Sequence, residues 1–397
     1  MAASTAAGPG IQAGWPVFAD DEIEAATAVL RSGRVNYWTG EEGRAFEREF
    51  ADYFGSRYGL ALMNGTVALE LALYALGVGE GDEVIVTPRT FIASASCVVM
   101  RGAKPVFCDV DRDSGNITAE TIEKSLTPRT RAIIAVHLGG WPCDMDSICA
   151  LARDRGLYVI EDCAQSHGAM YKGKYAGASG HVTAWSFCQD KIMTTGGEGG
   201  MLTTDDPELW KKAWAFKDHG KSYDAVYNRQ HPPGFRWLHE SFGTNWRMLE
   251  TQAAIGRVQL RKLSDWVATR ARNANILVER LSKLPMLRVP APGPDTKHAH
   301  YRLYAYVIPE MLAPGWTRDR IMVECTERGA PCMSGSCSEI YREKAFVNAG
   351  LQPAERPPVA RELGETSLAF LVHPTLTEEH MLSVAQVVED VMHRSLR

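Results

Sequence analysis

Two hydrophobic rhythms alternate along the first two-thirds of the chain. Short apolar runs read as buried strands, and stretches with apolar residues three and four apart read as amphipathic helices. The predicted strands are Gly59–Met63, Asp82–Thr87, Lys104–Val110, Ala132–His137, Leu157–Ile160 and Ala178–Phe187, with Met201–Thr204 returning as a hairpin partner of the last. Helices are predicted over Val67–Leu76, Phe91–Met100, Thr118–Leu126, Met145–Arg155 and Glu208–Phe216. The helix from Val67 has apolar residues at 67, 68, 71, 72 and 75 and closes at Gly77, while Gly156 stops the helix from Met145. Ahead of this set, Asp20–Leu30 reads as a helix capped by Asp20, with Ile23, Ala26 and Leu30 sharing one face. A second helix places Phe46, Phe50 and Tyr53 on one side and ends at Gly55.

Repeated strand–helix units with short links predict an α/β fold, a mostly parallel sheet sandwiched by helices. Ligands of such sheets sit at the carboxyl ends of the strands. The turn at Asn64, His137 and Asp162 are all well placed for that. Residues 217–247 form a long irregular stretch rich in His, Arg, Lys and aromatics, the mark of a functional loop or an interface. A long helix then runs from Leu249 to about Leu284, and a Pro-rich connector spans Pro285–Pro294. Beyond it come a strand at Tyr301–Ile308, a helix at Arg318–Arg328, a loop at Ala330–Tyr341, a strand at Ala369–Val372 and a helix at Thr377–Val391 capped by Thr377. The expected organisation is a flexible lead over residues 1–14, a large domain over 15–265, and a bridging helix with a smaller C-terminal α+β domain over 266–397.

Bulk properties narrow the function. The 397 residues are 45% hydrophobic and 23% charged, with a formal net charge of −5 and a pI of about 6.2. That is an ordinary globular composition, and it argues against non-specific nucleic-acid binding while leaving room for a local phosphate pocket. No apolar run is long enough to span a bilayer, and Met1–Gly14 lacks the basic and apolar regions of a signal peptide. The nine cysteines include no Cys-x-x-Cys pair and no zinc spacing. They read as reduced thiols in a cytoplasmic protein, with no metal site expected.

Four stretches carry candidate chemistry. Ser186-Phe187-Cys188-Gln189-Asp190-Lys191 leads into a turn containing Gly196-Gly197-Glu198-Gly199-Gly200. Lysines are mostly solvated and glycine pairs mostly mark turns. The arrangement also suits a lysine joined to an aldehyde cofactor whose phosphate meets Ser186. Gly65-Thr66 opens a helix, either as a simple turn with a threonine cap or as backbone N–H groups offered to a phosphate. Asp162 follows a buried strand, where a carboxylate is costly without a partner. It reads either as a cap or surface acid, or as an anion facing a cationic ring nitrogen. Phe91, also just past a strand, offers an aromatic face. Pyridoxal phosphate asks for this set: a lysine for its aldehyde, a helix start and hydroxyls for its phosphate, an acid for its ring nitrogen and an aromatic for its ring.

With these motifs in order, the chain resembles the DegT/StrS sugar aminotransferases, a branch of the fold-type I (aspartate aminotransferase-like) pyridoxal phosphate enzymes. The runs that carry the resemblance include Asn64-Gly65-Thr66-Val67-Ala68-Leu69, Gly79-Glu80-Gly81-Asp82-Glu83-Val84-Ile85 and Val136-His137-Leu138-Gly139-Gly140. Further ones are Glu161-Asp162-Cys163-Ala164-Gln165, Ser186-Phe187 with Lys191, Gly197-Glu198-Gly199-Gly200, Asn245-Trp246-Arg247 and His373-Pro374. The resemblance implies Lys191 as the Schiff-base lysine and general base and acid, and Asp162 as the pyridine partner. It implies Gln165 at the cofactor's ring oxygen, Phe91 at the stacking position, and Gly65, Thr66 and Ser186 as phosphate ligands. Asn245 matches an asparagine that reaches the phosphate of the neighbouring subunit, which implies a homodimer with shared active sites. The implied reaction moves an amino group from glutamate or glutamine, through pyridoxamine phosphate, to a keto-sugar. A nucleotide-diphosphate-linked 4-keto-6-deoxyhexose is the foremost acceptor. An aminocyclitol aminotransferase, or a dehydratase or sensor on the same fold, are the alternatives. Trp38, His219 and Tyr301 are the candidate substrate neighbours. The chain departs from its relatives at Cys188-Gln189-Asp190, at His181, at the doubled Gly196-Gly197 and over Cys332–Ser338.

Overall fold

The structure, a computed structural model, describes residues 14–397. The expected flexible lead, apart from Gly14, therefore lies outside the described residues. The strands are β1 (Tyr58–Leu62), β2 (Glu83–Val86), β3 (Lys104–Phe107), β4 (Thr130–Val136), β5 (Tyr158–Asp162), β6 (Met170–Tyr171), β7 (Lys174–Tyr175), β8 (Val182–Ser186), β9 (Gly200–Thr204), β10 (Leu287–Arg288), β11 (Thr296–Lys297), β12 (Leu303–Val307), β13 (Cys332–Met333) and β14 (Ser367–Phe370). The helices are α1 (Asp20–Ser32), α2 (Glu42–Phe54), α3 (Gly65–Leu76), α4 (Ala93–Met100), α5 (Ala119–Glu123), α6 (Met145–Arg155), α7 (Pro207–Lys217), α8 (Tyr223–Tyr227), α9 (Glu250–Leu281), α10 (Arg318–Glu327), α11 (Lys344–Asn348), α12 (Pro358–Thr366) and α13 (Glu378–Ser395). No described helix is long and apolar enough to cross a membrane.

The central sheet has the order β1-β9-β8-β5-β4-β2-β3. Only β9 runs against its neighbours, pairing antiparallel with both β1 and β8. The other strands point the same way, so their carboxyl ends form one edge. Asp162 stands at the middle of that edge, in register with Val136 of β4 and Ala184 of β8. Strands β2, β8 and β9 are buried along their whole length, as a sheet covered on both faces requires.

A second, four-stranded antiparallel sheet, β10-β12-β14-β13, packs with α10, α13 and the end of α9. Helix α9 serves two cores. Its Ala253, Leu260 and Leu263 join Phe46, Phe50 and Phe187, whereas Ala274, Leu277 and Leu281 join the second sheet. The chain's later segments also return to the central sheet. Ala360 and Leu363 of α12 pack with Ile85, Ile133 and Val159.

Several local expectations change. Asp20 does not cap α1; it lies in the first turn, and the Glu22 carboxylate accepts from the Ala19 N–H at 2.8 Å instead. Ile23 and Leu30 are exposed, while Glu22 and Val29 face inward. The reason is tertiary: Lys262 of α9 pairs with Asp21 at 2.6 Å and Glu22 at 2.8 Å, which turns the acidic face of α1 toward α9. The cap of α3 is Asn64 rather than a threonine, with Oδ1 accepting from Val67 N–H at 3.0 Å. The stretch 217–247 folds back on itself through bridges Lys221–His239 and Asp218–Asn245, and it contains α8. Helices α11 and α12 were not expected. They are short, lie between the expected loop and the strand at Ala369, and α12 starts on a proline.

Candidate active site

The site is built where β1, β5 and β8 end. A Cβ on Gly65 would lie only 2.6 Å from Ser186 Cβ. Glycine therefore lets the start of α3 press against the end of β8. A Cβ on Gly200 would collide with the Asn64 carbonyl, so glycine at the start of β9 is needed for the same approach. The backbone N–H groups of Gly65 and Thr66 open α3, where no intrahelical acceptor exists. The Ser186 hydroxyl stands beside them, accepting at 3.4 Å from Cys188 N–H. An anion is suited by this combination of helix dipole, free N–H groups and hydroxyl.

Asp162 is buried, 4% exposed. Its Oδ2 accepts from the Ser94 hydroxyl at 2.7 Å and its Oδ1 from Ala164 N–H at 3.1 Å. Burial pushes its carboxyl above the usual aspartate range, against the pull of these bonds and of the Lys191 charge. A buried carboxylate with no cation in hydrogen-bond contact is an incomplete site. Gln165 Oε1 accepts from Gly139 N–H at 2.7 Å, and its Nε2 points to Ser336 Oγ at 3.5 Å. Phe91 lies three residues before Ser94 and is 64% exposed.

Lys191 follows β8 in a tight turn. The turn is held by α9: Gln259 accepts from Thr194 N–H at 2.8 Å, and Gln252 donates to the Glu198 carbonyl at 2.8 Å. Trp15 Nε1 donates to the Lys191 carbonyl at 2.8 Å. The Lys191 ammonium stands 3.4 Å from Asp190 Oδ1 and 5.0 Å from the centre of the Tyr301 ring. The Tyr301 hydroxyl donates to the other Asp190 oxygen. Burial disfavours the ammonium, yet Tyr301, Asp190 and Cys188 outweigh it and hold Lys191 above its ordinary value.

The structure thus brings Gly65, Asp162, Gln165, Ser186, Lys191 and Tyr301 to the loops at the sheet's carboxyl edge, with Thr66 and Phe91 at the rim. Asn245 is exposed between half-buried neighbours, and the carbonyl of the next residue, Trp246, accepts from Met63 N–H at 3.0 Å, beside the turn to Gly65. Trp38 and His219 stand apart. Trp38 packs against Tyr37 and Trp214, with Lys221 over its ring at 4.2 Å. His219 is exposed, and its N–H donates to the Thr244 carbonyl. Neither is joined to Lys191 among the described contacts.

Three features escape sequence reading. Ser94 sits in an unremarkable small-residue helix, 68 positions from the carboxylate it serves. Asp190 reads as a turn former but is the counter-ion of Lys191. His137, at a strand end suited to ligands, instead turns inward to Glu161. His137 Nδ1 accepts from Cys143 N–H at 3.0 Å, so Nε2 carries the proton and donates to Glu161 at 2.9 Å. Glu161 also accepts from Gly177, Ser179 and Gly180 N–H at 2.6–2.8 Å. Burial alone would raise Glu161, but these donors hold it below the usual range. Cys163 completes a buried trio with this pair, whose lone pairs are already engaged by protein donors. The trio locks β4, β5 and the loop before β8.

Residues 16–389 match the DegT/DnrJ/EryC1/StrS aminotransferase family. The chain is 36% identical over 383 residues to the spore coat polysaccharide biosynthesis protein SpsC of Bacillus subtilis, covering 95% of this chain and 96% of that protein. It is 35% identical over 375 residues to the dTDP-3-amino-3,4,6-trideoxy-alpha-D-glucose transaminase of Streptomyces venezuelae, covering 94% and 93%. The solved aminotransferase from Psychrobacter cryohalolentis superposes with a TM-score of 0.95 at 57% identity, covering 96% of this chain and 99% of that one. With a family match over residues 16–389 and relatives of this identity covered over nearly their whole length, the chain belongs to the DegT/DnrJ/EryC1/StrS aminotransferase family and is an aminotransferase.

Proposed function

We propose that the protein is a pyridoxal phosphate-dependent aminotransferase that takes an amino group from glutamate or glutamine. Its acceptor is a keto-sugar on a nucleoside diphosphate, foremost a 4-keto-6-deoxyhexose. The observation that carries the reading is the meeting of buried Asp162, Lys191 and the Gly65–Ser186 contact along one sheet edge. The residues fit the cofactor by their chemistry: an amine, an anion-binding helix start with a hydroxyl, and a buried carboxylate that lacks a cation. The Streptomyces relative's dTDP-linked product supports a nucleotide-sugar acceptor.

When bound, pyridoxal phosphate supplies the carbonyl that carries the amino group and the ring that delocalises carbanion electrons. Gly65, Thr66 and Ser186 hold the phosphate. Asp162, whose anion is favoured by the hydrogen bonds from Ser94 and Ala164, would pair with the protonated ring nitrogen. Phe91 covers the ring, and Gln165 lies at its oxygen. Lys191 Nζ, when neutral, takes a proton from the donor's reacting carbon; as an ammonium, it gives one back. Asp190 and Tyr301 hold the ammonium between those steps.

A homodimer belongs to this reading, with Asn245 reaching the partner's site. Its support is a set of exposed aromatic side chains: Phe91 just past β2, and Phe235, Trp237 and Phe242 in the stretch 217–247, the last 98% exposed. The test is spectroscopic. The cofactor-loaded protein should lose its visible colour on addition of glutamate or glutamine and regain it with one member of a panel of nucleotide keto-sugars. Colour unmoved by any amino acid would overturn the reading.

A further inference from the structure

The backbone of Lys191 is anchored from outside the turn that carries it. Its N–H donates to the Cys188 carbonyl at 3.0 Å, within the turn. Among the described residues its carbonyl has one donor, the Trp15 indole N–H at 2.8 Å, 176 positions away. Together the two bonds fix the peptide planes on either side of the Lys191 Cα, and so the direction in which its side chain leaves the backbone.

Trp15 is itself held by two other parts of the fold. Its ring meets Trp266 of α9 edge to face at 5.1 Å, and the Arg270 guanidinium of the same helix lies 5.1 Å from its centre. These two residues stand where α9 passes from the first core, at Leu263, to the second, at Ala274. His373, just past β14, lies nearly parallel to the indole at 6.2 Å. The Gly14 carbonyl accepts from the Thr375 hydroxyl at 3.1 Å. The indole thus joins the lysine turn, α9 and the link from β14 to α13. At its far end, Lys191 is held by Asp190 and by the face of the Tyr301 ring, contacts that favour the charged amine. When the amine is neutral they weaken, and the backbone anchor sets its reach. A misplacement of about 1 Å can cost roughly 100-fold in rate.

We propose that Trp15 is a positioning residue for Lys191, and that residues 14–18 form a strap that sets the lysine turn from outside. The proposal rests on Lys191 being the reacting amine. Trp15→Phe keeps an aromatic ring and removes the N–H. Lys191 Nζ can condense with the aldehyde of pyridoxal phosphate, releasing one water, but has no such bond to form with pyridoxamine phosphate. Both compounds offer the same phosphate and ring to Gly65, Ser186 and Asp162. In calorimetric titrations of cofactor-free protein, affinity for pyridoxal phosphate should therefore fall roughly tenfold in Trp15→Phe, the worth of one hydrogen bond. Affinity for pyridoxamine phosphate should not change. Wild-type affinity for both, or an equal loss for both, would overturn the proposal. Amide hydrogen exchange over residues 188–195 of the cofactor-free protein should quicken roughly tenfold in Trp15→Phe, with α3 and β8 unchanged. Unchanged exchange in the turn would also overturn it. If wild type binds neither compound, the proposed function fails, and exchange alone decides the strap. If Trp15→Phe does not fold, replacement of Trp15 by 3-benzothienylalanine, which exchanges the indole N–H for sulfur at nearly the same shape, carries both measurements.

Discussion

Ser94 and Asp162 form a 2.7 Å hydrogen bond across 68 positions of sequence, from the helix after β2 to the end of β5. The bond favours the ionised carboxylate that burial opposes. Ser94→Ala removes one of its two donors. Affinity for pyridoxal phosphate should then fall roughly tenfold, the worth of one hydrogen bond to a charged group. An absorbance titration of apoprotein with cofactor checks it, with the fold monitored by circular dichroism.

Asp162 also sets a pH dependence. Its carboxyl titrates above the ordinary aspartate value in the fold, so the native chain holds the proton more tightly than the unfolded chain. The carboxylate thus costs stability above that raised value. The cofactor-free protein should gain stability from this group as pH falls through the window down to the ordinary aspartate value. Asp162→Asn should abolish that contribution, seen in thermal midpoints across pH, and lower kcat roughly 10²–10³-fold or more.

Lys191→Ala should still bind cofactor, because the phosphate and ring partners remain. Its donor half-reaction should drop by at least roughly 10²–10⁴-fold, the usual reach of a positioned general base. Single-turnover absorbance with glutamate reads this directly. Full turnover in the variant would remove Lys191 from the mechanism.

Gly65→Ala places a methyl group 2.6 Å from Ser186 Cβ, so α3 and β8 must separate. The expected cost is about 1–3 kcal/mol of stability, as for other overpacked sites. Cofactor affinity should fall with it, since the helix start and the Ser186 hydroxyl no longer meet. Denaturant unfolding and the same titration measure the two effects.

Glu161→Gln replaces an acceptor of four donors by a group that itself donates. At least one buried N–H then faces an amide N–H. Stability should fall by about 3–5 kcal/mol, the scale for breaking a buried charged network. Cofactor-free thermal unfolding checks this. An unchanged midpoint would show that the loop before β8 is held by other means.

The alternation of strand and helix, read from apolar periodicity, was enough for a parallel sheet with a site along its carboxyl edge. The residues at that edge were legible because each sits at a strand end or helix start, where backbone geometry is set locally. Gly65, Asp162, Ser186 and Lys191 are of that kind. The rotation of α1 was not legible: its apolar positions suggested one face, and Lys262, more than two hundred residues away, chose another. Distance in sequence also hid Ser94 from Asp162 and Tyr301 from Asp190. Side-chain charge pairing depends on which elements come to lie side by side, and no local pattern encodes that. So the sequence by itself determined the architecture and placed the candidate residues along its carboxyl edge. Tertiary packing alone decided which groups meet Asp162 and Lys191, and why His137 is a lock rather than a ligand.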